Sequence, residues 1–307
     1  LLFLLYSEIS FSQISCTPIK NYSGEITYYK YSDGYAVPRD EYIESDRIIN
    51  QVMSTYQSGD FEAISNSLKK ALILNKHNNE ALFFMGLSKM QSNKYVESLE
   101  YFDKCTKINQ DSAKYWYHKG KVQVLLGTET DSLYYYDISI ASFSTAIKIN
   151  AQNTIYWIER ANSRALIKDY HGALNDLRIV ATLKPSDDST WDLIGNIYND
   201  LGTETDSIQY FDMAIVAFTK ALEISPENGN YLTSRAMSKY NKKEMSGAIK
   251  DCKKALIIDK ENSNCWYILS LIKYGSGDKI NALKYLNSAI KIEPTNSHYL
   301  LRRSKIK

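Results

Sequence analysis

Hydrophobic positions along the chain recur with the period of an α-helix, in pairs of runs separated by short polar breaks. Between Tyr156 and Pro185, two such runs place apolar residues three and four positions apart, which is the spacing of one helix face. The break falls at Lys168 and Asp169, and the proline ends the second run because proline cannot continue a helix. The pattern predicts a helix–turn–helix unit.

The same order of apolar, small and polar positions recurs along most of the chain and predicts an internal repeat. In residues 154–187, Trp157 and Leu177 are the large residues, and Ala161 and Ala173 are the small ones. Small residues let two helices approach closely, and large residues fill the space between them. One such hairpin cannot bury its apolar face alone, so stacked copies are expected to share a continuous core.

This order of large, small and proline positions resembles the tetratricopeptide repeat, a helix–turn–helix unit of about 34 residues. Seven tandem copies are predicted, at residues 45–78, 79–112, 113–153, 154–187, 188–228, 229–262 and 263–296. The resemblance implies an all-α solenoid, a right-handed superhelix of helix–turn–helix repeats.

The third and fifth copies are longer than the others and share the heptapeptide LGTETDS, at Leu126–Ser132 and Leu201–Ser207. Similarity continues beyond the heptapeptide, which indicates duplication of a two-repeat unit. We expect Thr-Glu-Thr-Asp to form the link and N-cap before a second helix lengthened by about one turn.

The repeat after each long copy keeps an arginine and an aspartate at the same spacing, Arg160 with Asp176 and Arg235 with Asp251. We interpret each as an arginine–carboxylate pair that joins the two helices of the repeat, with an anion-binding arginine as the alternative.

The two ends of the chain depart from the repeat. Residues 1–16 contain an apolar run too short to span a bilayer, which we interpret as a signal-peptide remnant, with a buried N-terminal apolar segment as the alternative. Residues 17–44 are rich in tyrosine and predict an irregular arm or a small hairpin. Residues 297–307 form either a capping helix or the start of a further repeat.

Cys16 follows the apolar run at a place that resembles a bacterial lipoprotein processing site. Gln13 stands where that signal requires an aliphatic residue, so a soluble product exported to the periplasm or envelope surface is preferred over a lipid anchor at Cys16. A cytoplasmic location is the alternative. Cys105, Cys252 and Cys265 lie within helical runs without metal-ligand spacing, and we expect them to be buried.

Charge and composition narrow the class of function. Lys and Arg number 37 against 35 for Asp and Glu, a net charge of +2, which provides no field that would favour nucleic acid. The four histidines occupy different repeat positions, and no catalytic, cofactor or metal motif accompanies them. We therefore predict a non-enzymatic protein without a cofactor or transmembrane span.

Tetratricopeptide repeat proteins usually bind partners on the concave surface of their first helices, so the resemblance places a partner-binding groove there. The candidate residues are Phe83, Leu87, Met90, Tyr117, Lys121, Ile158, Asn162, Asp192, Asn196, Asn199, Tyr240, Tyr267 and Tyr274. Aromatic and aliphatic ends with a polar, acidic centre suit a peptide or a partner helix. The four tryptophans share one repeat position, which the family frame places in the core rather than at a stacking site.

The predicted function is a scaffold for protein–protein interaction. One alternative is the non-catalytic portion of a longer enzyme or signalling protein. Another is an envelope module that binds glycan or peptidoglycan through the groove tyrosines.

Overall fold

The computed structural model describes residues 16–55 and 61–306. They form two compact units whose boundary lies between Ile167 and Lys168, and each unit contains its own hydrophobic clusters. The predicted signal segment lies outside the described residues, except for Cys16.

The first unit opens with a small antiparallel sheet. Its strands are β1 (Cys16–Lys20), β2 (Ile26–Tyr31) and β3 (Ala36–Pro38), in the order β1-β2-β3. Gly24 and Gly34, with φ of 84° and 90°, form the two turns, a backbone conformation that glycine adopts without steric cost. The Tyr-rich segment is therefore a three-stranded sheet.

Aromatic contacts attach this sheet to the helices that follow. The rings of Tyr29 and Tyr42 stack with centroids 4.0 Å apart. The buried Tyr31 hydroxyl accepts a hydrogen bond of 2.9 Å from Asn75 Nδ2. Because the following helix begins at Arg39, directly after a proline, it includes residues that the sequence assigned to the arm.

Seven helices complete the described part of the first unit. They are α1 (Arg39–Thr55), α2 (Phe61–Leu74), α3 (Asn79–Gln91), α4 (Tyr95–Ile108), α5 (Ala113–Thr130), α6 (Leu133–Ile149) and α7 (Thr154–Leu166). The second unit contains α8 (Tyr170–Leu183), α9 (Asp188–Thr205), α10 (Ile208–Ile224), α11 (Gly229–Asn241), α12 (Met245–Ile258), α13 (Ser263–Gly275), α14 (Lys279–Ile292) and α15 (Ser297–Ile306). The prediction of helices packed in tandem, behind a short N-terminal arm, is confirmed.

Close packing within each helix pair depends on small residues facing large ones. A Cβ atom on Gly86 of α3 would lie 2.8 Å from the ring of Phe102 on α4, closer than van der Waals contact allows. Cys105, Cys252 and Cys265 are free thiols with no exposed surface, as the sequence predicts. Burial raises the pKa of the Cys105 thiol.

Asparagine begins several first helices in the same way. The Asn78 side chain accepts a hydrogen bond of 3.0 Å from the backbone N–H of Ala81, and Asn262 does the same for Cys265. Asn228 accepts from the backbone N–H groups of both Asn230 and Tyr231 at the start of α11, and Asn153 accepts from that of Ile155 at the start of α7. Each bond satisfies a backbone donor that the first helical turn leaves free.

The two long helix pairs correct the prediction for the duplicated heptapeptide. Helix α5 continues through Thr130 and α9 through Thr205, so most of LGTETDS is the end of the first helix rather than a link. Only Asp131–Ser132 and Asp206–Ser207 separate the paired helices. The second helices have 17 residues, against 14 for α4, so they are lengthened as expected.

A charged contact between Arg235 and Asp251 joins helices α11 and α12 of the second unit. The Arg235 guanidinium donates two hydrogen bonds to the Asp251 carboxylate, of 2.8 and 2.9 Å, and Lys239 Nζ donates a third of 2.8 Å. The sequence predicted the pairing of Arg235 with Asp251. Among the described helices, none is long and apolar enough to cross a membrane.

Candidate functional site

The first-helix faces, meaning the outward positions of α3, α5 and α7 in one unit and of α9, α11 and α13 in the other, carry the predicted groove residues. The structure buries three of them. Phe83 is 6%, Leu87 5% and Tyr267 9% exposed. Phe83 contacts the rings of Tyr115 and His118 on α5. A partner cannot reach these side chains because neighbouring helices already cover them, so they belong to the core.

The first-helix face of the first unit keeps five predicted residues at least partly accessible: Met90, Tyr117, Lys121, Ile158 and Asn162. Tyr117 packs against Tyr156 with ring centroids 5.2 Å apart. Lys121 Nζ lies 3.2 Å from Glu159 Oε1. The result is a mixed surface in which an aromatic ring adjoins a neutralised cation.

The corresponding face on α9 is acidic. Asp192 accepts a hydrogen bond of 3.1 Å from Asn196 Nδ2, and burial raises the pKa of its carboxyl, with a smaller contribution from Asp188. Burial also raises the pKa of Asp200, which lies close to Glu204. The Oδ1 atom of Asn199 is buried without a hydrogen-bond partner in the described structure.

Two tyrosines repeat along the remaining first helices of the second unit. Tyr240 on α11 and Tyr274 on α13 occupy the same repeat position, and both are half-buried. The Arg302 guanidinium lies 4.9 Å from the centroid of the Tyr274 ring, a cation–π geometry. Both side chains are therefore partly accessible.

Comparison with known proteins identifies the repeat. The family model described as tetratricopeptide repeat matches residues 80–112, 189–228 and 263–296. The chain contains tetratricopeptide repeats. A comparison with curated protein sequences finds no match.

Solved structures show the same fold at low sequence identity. A tetratricopeptide repeat protein from Parabacteroides merdae ATCC 43184 is 14% identical, with a TM-score of 0.61, covering 85% of this chain and 98% of that one. The APC/C hetero-tetramer Cut9-Hcn1 includes a chain that is 15% identical, with a TM-score of 0.56, covering 83% and 48%. MamA from Desulfovibrio magneticus RS-1 is 18% identical, with a TM-score of 0.51, covering 60% and 96%. These similarities confirm the tetratricopeptide repeat solenoid.

The tryptophans of the repeats are half-buried rather than enclosed. The indole N–H of Trp116 donates to the Gln110 carbonyl at 2.8 Å, and Trp266 donates equivalently to Lys260 at 3.1 Å. These two indole rings thus pack on the core, while each N–H group donates to the turn before the helix. The hydrogen bond satisfies the polar end of a largely apolar ring. The Lys220 ammonium lies 4.0 Å from the Trp191 ring centroid, on a surface that a stacking ligand would need.

The histidines of the repeats lie in different surroundings. Burial lowers the pKa of His118 to about 3, so this imidazole is neutral between Phe83 and Phe102. The His298 Nε2 atom lies 2.7 Å from the Tyr267 hydroxyl. Within the described residues, no three metal-ligating side chains converge.

A feature that the sequence did not indicate is a cavity of about 600 Å³ in the first unit. It lies between the N-terminal sheet and helices α2, α3 and α4. Leu72, Leu82 and Ile108 form its apolar part. Tyr31, Ser32, Asp33, Lys76, His77, Tyr101, Lys104 and Lys107 complete the lining. The spacing of Tyr101, Lys104 and Ile108 along one helix face was visible in the sequence, but the position of the sheet opposite was not.

A hydrogen-bonded contact between a histidine and an aspartate closes one side of this cavity. His77 Nε2 lies 3.0 Å from Asp33 Oδ2, which ties the turn after β2 to the loop after α2. Burial lowers the pKa of His77 despite the opposing effect of Asp33. A backbone hydrogen bond from Tyr35 lowers the pKa of Asp33. The one carboxylate of the lining is therefore already engaged by protein groups.

Proposed function

We propose that this chain is a non-enzymatic scaffold that binds a segment of a partner protein on its first-helix faces. The observation that carries the proposal is the recurrence of Tyr240 and Tyr274 at one position of successive first helices, each half-buried. Rigid aromatic rings that remain partly accessible supply large contact area at low entropic cost. The stacked helices hold them in register.

The neighbouring residues indicate the chemistry of the partner. On the first unit, Tyr117 and Ile158 offer apolar contact beside Asn162, an exposed amide. On α9, Asp192 and Asp200 offer carboxylates, and partial burial raises the pKa of each. A peptide or helix that presents apolar residues and a basic side chain suits these faces.

The Cut9-Hcn1 structure, a hetero-tetramer that contains a second protein, supports this class of function. That similarity concerns the fold alone.

A photo-crosslinking amino acid placed at Tyr240 or Tyr274 tests the proposal in the cells that produce the protein. The matched controls are Ile257 on α12 and Ile280 on α14, which are 80% and 83% exposed on second helices. We expect a discrete protein adduct from the tyrosine positions and none from the controls. Equal labelling at all four positions, or adducts with glycan only, would refute a protein-binding face.

We further propose that the protein is exported, as the apolar run before Cys16 predicts. Cys16 lies against a cluster with Tyr31 and Tyr42, and burial raises the pKa of its thiol. A lipid attached to that sulfur would have to displace those rings, so we favour a soluble exported form. Fractionation of the producing cells and mass spectrometry of the mature N-terminus would distinguish export, lipidation and cytoplasmic retention.

A further inference from the structure

The cavity beside the N-terminal sheet has an uneven distribution of charge. Lys76, Lys104 and Lys107 are all exposed at its margin. In the described residues, no ion pair joins any of the three to a carboxylate. Asp33, the single acidic group of the lining, pairs with His77. Because the pKa of His77 is lowered, His77 does not cancel the charge of Asp33, and Lys76 interacts electrostatically with that carboxylate. Lys104 and Lys107 have no carboxylate partner in the lining, so the margin keeps a net positive charge.

Two of the ammonium groups are positioned by aromatic rings. Lys76 Nζ lies 4.2 Å from the centroid of the Tyr35 ring, and Lys104 Nζ lies 5.2 Å from that of Tyr101. Such contacts restrict a flexible lysine without neutralising its charge. The cations are thus held near the cavity mouth and remain available to an anion.

The interior has a different character. Leu82 is buried, while Leu72 and Ile108 are half-buried and face the cavity with the ring of Tyr101. An apolar interior surrounded by charged residues is the usual arrangement of an anchor pocket at a protein interface. A compact anion would meet the lysines only at the margin and would leave the apolar interior unfilled.

We propose that this cavity binds an acidic peptide segment, with an apolar or aromatic side chain inside and flanking carboxylates on Lys76, Lys104 and Lys107. Its volume of about 600 Å³ lies in the range of sites that enclose a ligand group. The residues that line the cavity belong to the N-terminal sheet and its turn, and mainly to the second helices α2 and α4. The cavity is therefore separate from the first-helix faces, and either site can fail without the other.

Titration calorimetry on the full chain with two synthetic peptides tests this site. The probes are acetyl-Glu-Trp-Glu-amide and the neutral acetyl-Gln-Trp-Gln-amide. We expect the acidic peptide to bind saturably and about tenfold more tightly than the neutral one. The difference should shrink between about 50 mM and about 500 mM NaCl because salt screens exposed charges. Equal affinities, or no binding of either peptide, would overturn the proposal.

Two double variants locate the binding. Lys104→Ala with Lys107→Ala should remove most of the difference in affinity between the acidic and the neutral peptide, and replacement of the same pair by arginine should preserve that difference. Lys69→Ala with Lys70→Ala removes the same charge from exposed positions of α2 outside the cavity and should leave affinity unchanged. A similar loss in both alanine variants would contradict a local site.

Phenyl phosphate provides the competing ligand class. If phenyl phosphate binds in the lysine-dependent manner described and the peptides do not, the cavity accepts a small organic anion, and the peptide proposal is wrong. Circular dichroism of each variant must show unchanged helix content, since exposed lysines are not expected to affect folding.

Discussion

The two long helix pairs, α5 with α6 and α9 with α10, are alike where they face inward and different where they face outward. Both first helices have 18 residues, and both end at an aspartate with φ of 51°. Both place a glycine against an aromatic ring: Gly120 meets Phe143, and Gly195 meets Phe218. These shared contacts reproduce one architecture twice.

The outward positions of the same two helices carry different chemistry. Tyr117 on α5 corresponds to Asp192 on α9, and Lys121 corresponds to Asn196. The inward contacts allow little variation because close packing penalises any added atom. The outward positions touch fewer neighbours and can differ, so a duplicated scaffold provides two distinct faces.

The largest expected effect tests the shared interior. A Cβ on Gly120 or Gly195 would lie 2.6 Å from a ring atom of a phenylalanine that has no exposed surface. Gly120→Val and Gly195→Val should each destabilise their unit by about 3 kcal/mol, since the enclosed ring has no space to move. Urea unfolding followed by circular dichroism measures this.

Gly275→Ala is the control for these variants, because nothing lies within 4 Å of the Cβ position there. It should leave stability unchanged or raise it by about 0.5 kcal/mol through higher helix propensity. A large cost for only one of the two valine variants would mean that the long pairs are not equivalent.

The second prediction concerns the repeat after each long pair. Arg235 donates a hydrogen bond of 3.1 Å to Thr219 on α10, and Arg160 donates one of 2.9 Å to Ser144 on α6. Asp251→Ala should cost about 2 kcal/mol because it leaves the cations of Arg235 and Lys239 without their partner. The exposed Glu261→Ala should change stability by less than about 0.5 kcal/mol.

Acid should weaken the same contact. Burial raises the pKa of Asp251, but the hydrogen bonds from Arg235 and Lys239 outweigh it, so the net shift is downward. A lowered pKa in the folded state gives stability that is complete above about pH 4 and is lost as the pH falls through the folded value. Unfolding midpoints of the Asp251→Ala variant should therefore decline less below about pH 4 than those of the parent.

A smaller effect is expected at the ends of the long first helices. Asp131 and Asp206 adopt left-handed backbone conformations, which glycine tolerates best. Replacement by glycine should raise stability by about 0.5 kcal/mol, and replacement by alanine should lower it by about 1 kcal/mol. Equal changes in stability at the two positions would support the equivalence of the two long helix pairs. Alanine and glycine variants of equal stability would show that the left-handed aspartates carry no backbone strain.

The smallest effects should have opposite signs on the two outward faces. Lys121→Gln removes the ion pair with Glu159 and should cost about 0.5 kcal/mol. Burial raises the pKa of Asp192, so its ionised form opposes folding once the pH rises above about 4. Asp192→Asn should therefore stabilise by a few tenths of a kcal/mol at pH 7. Thermal midpoints that move in the same direction would contradict the assigned electrostatics.

The repeat and its helices could be predicted because helical periodicity is local: apolar residues three and four apart must share a face. The link within the long pairs was predicted wrongly. The hydroxyls of Thr128 and Thr130 bond back to the carbonyls of Val124 and Leu126, at 3.1 and 2.6 Å, and thus remain compatible with a helix. Threonine and aspartate there indicated a turn, but the helix ends only at the left-handed aspartate.

The depth of each groove residue could not be predicted in the same way. Periodicity places Phe83 and Tyr117 on equivalent helix positions, yet the structure buries the first and leaves the second half-exposed. Tyr115 and His118 on the next first helix cover Phe83. Burial thus depends on the side chains of a neighbouring repeat, which a single-helix pattern does not include.

By itself, the sequence determined the all-α repeat architecture, the duplicated long pair and the pairing of Arg235 with Asp251, because each follows from spacing along helices. Only the tertiary structure decided which outward residues remain accessible. It also brought Lys76 and Lys104 to one cavity opposite the sheet that carries Tyr31. That sheet is irregular in sequence, and its position depends on long-range aromatic contacts, such as Tyr29 with Tyr42, which no local period encodes.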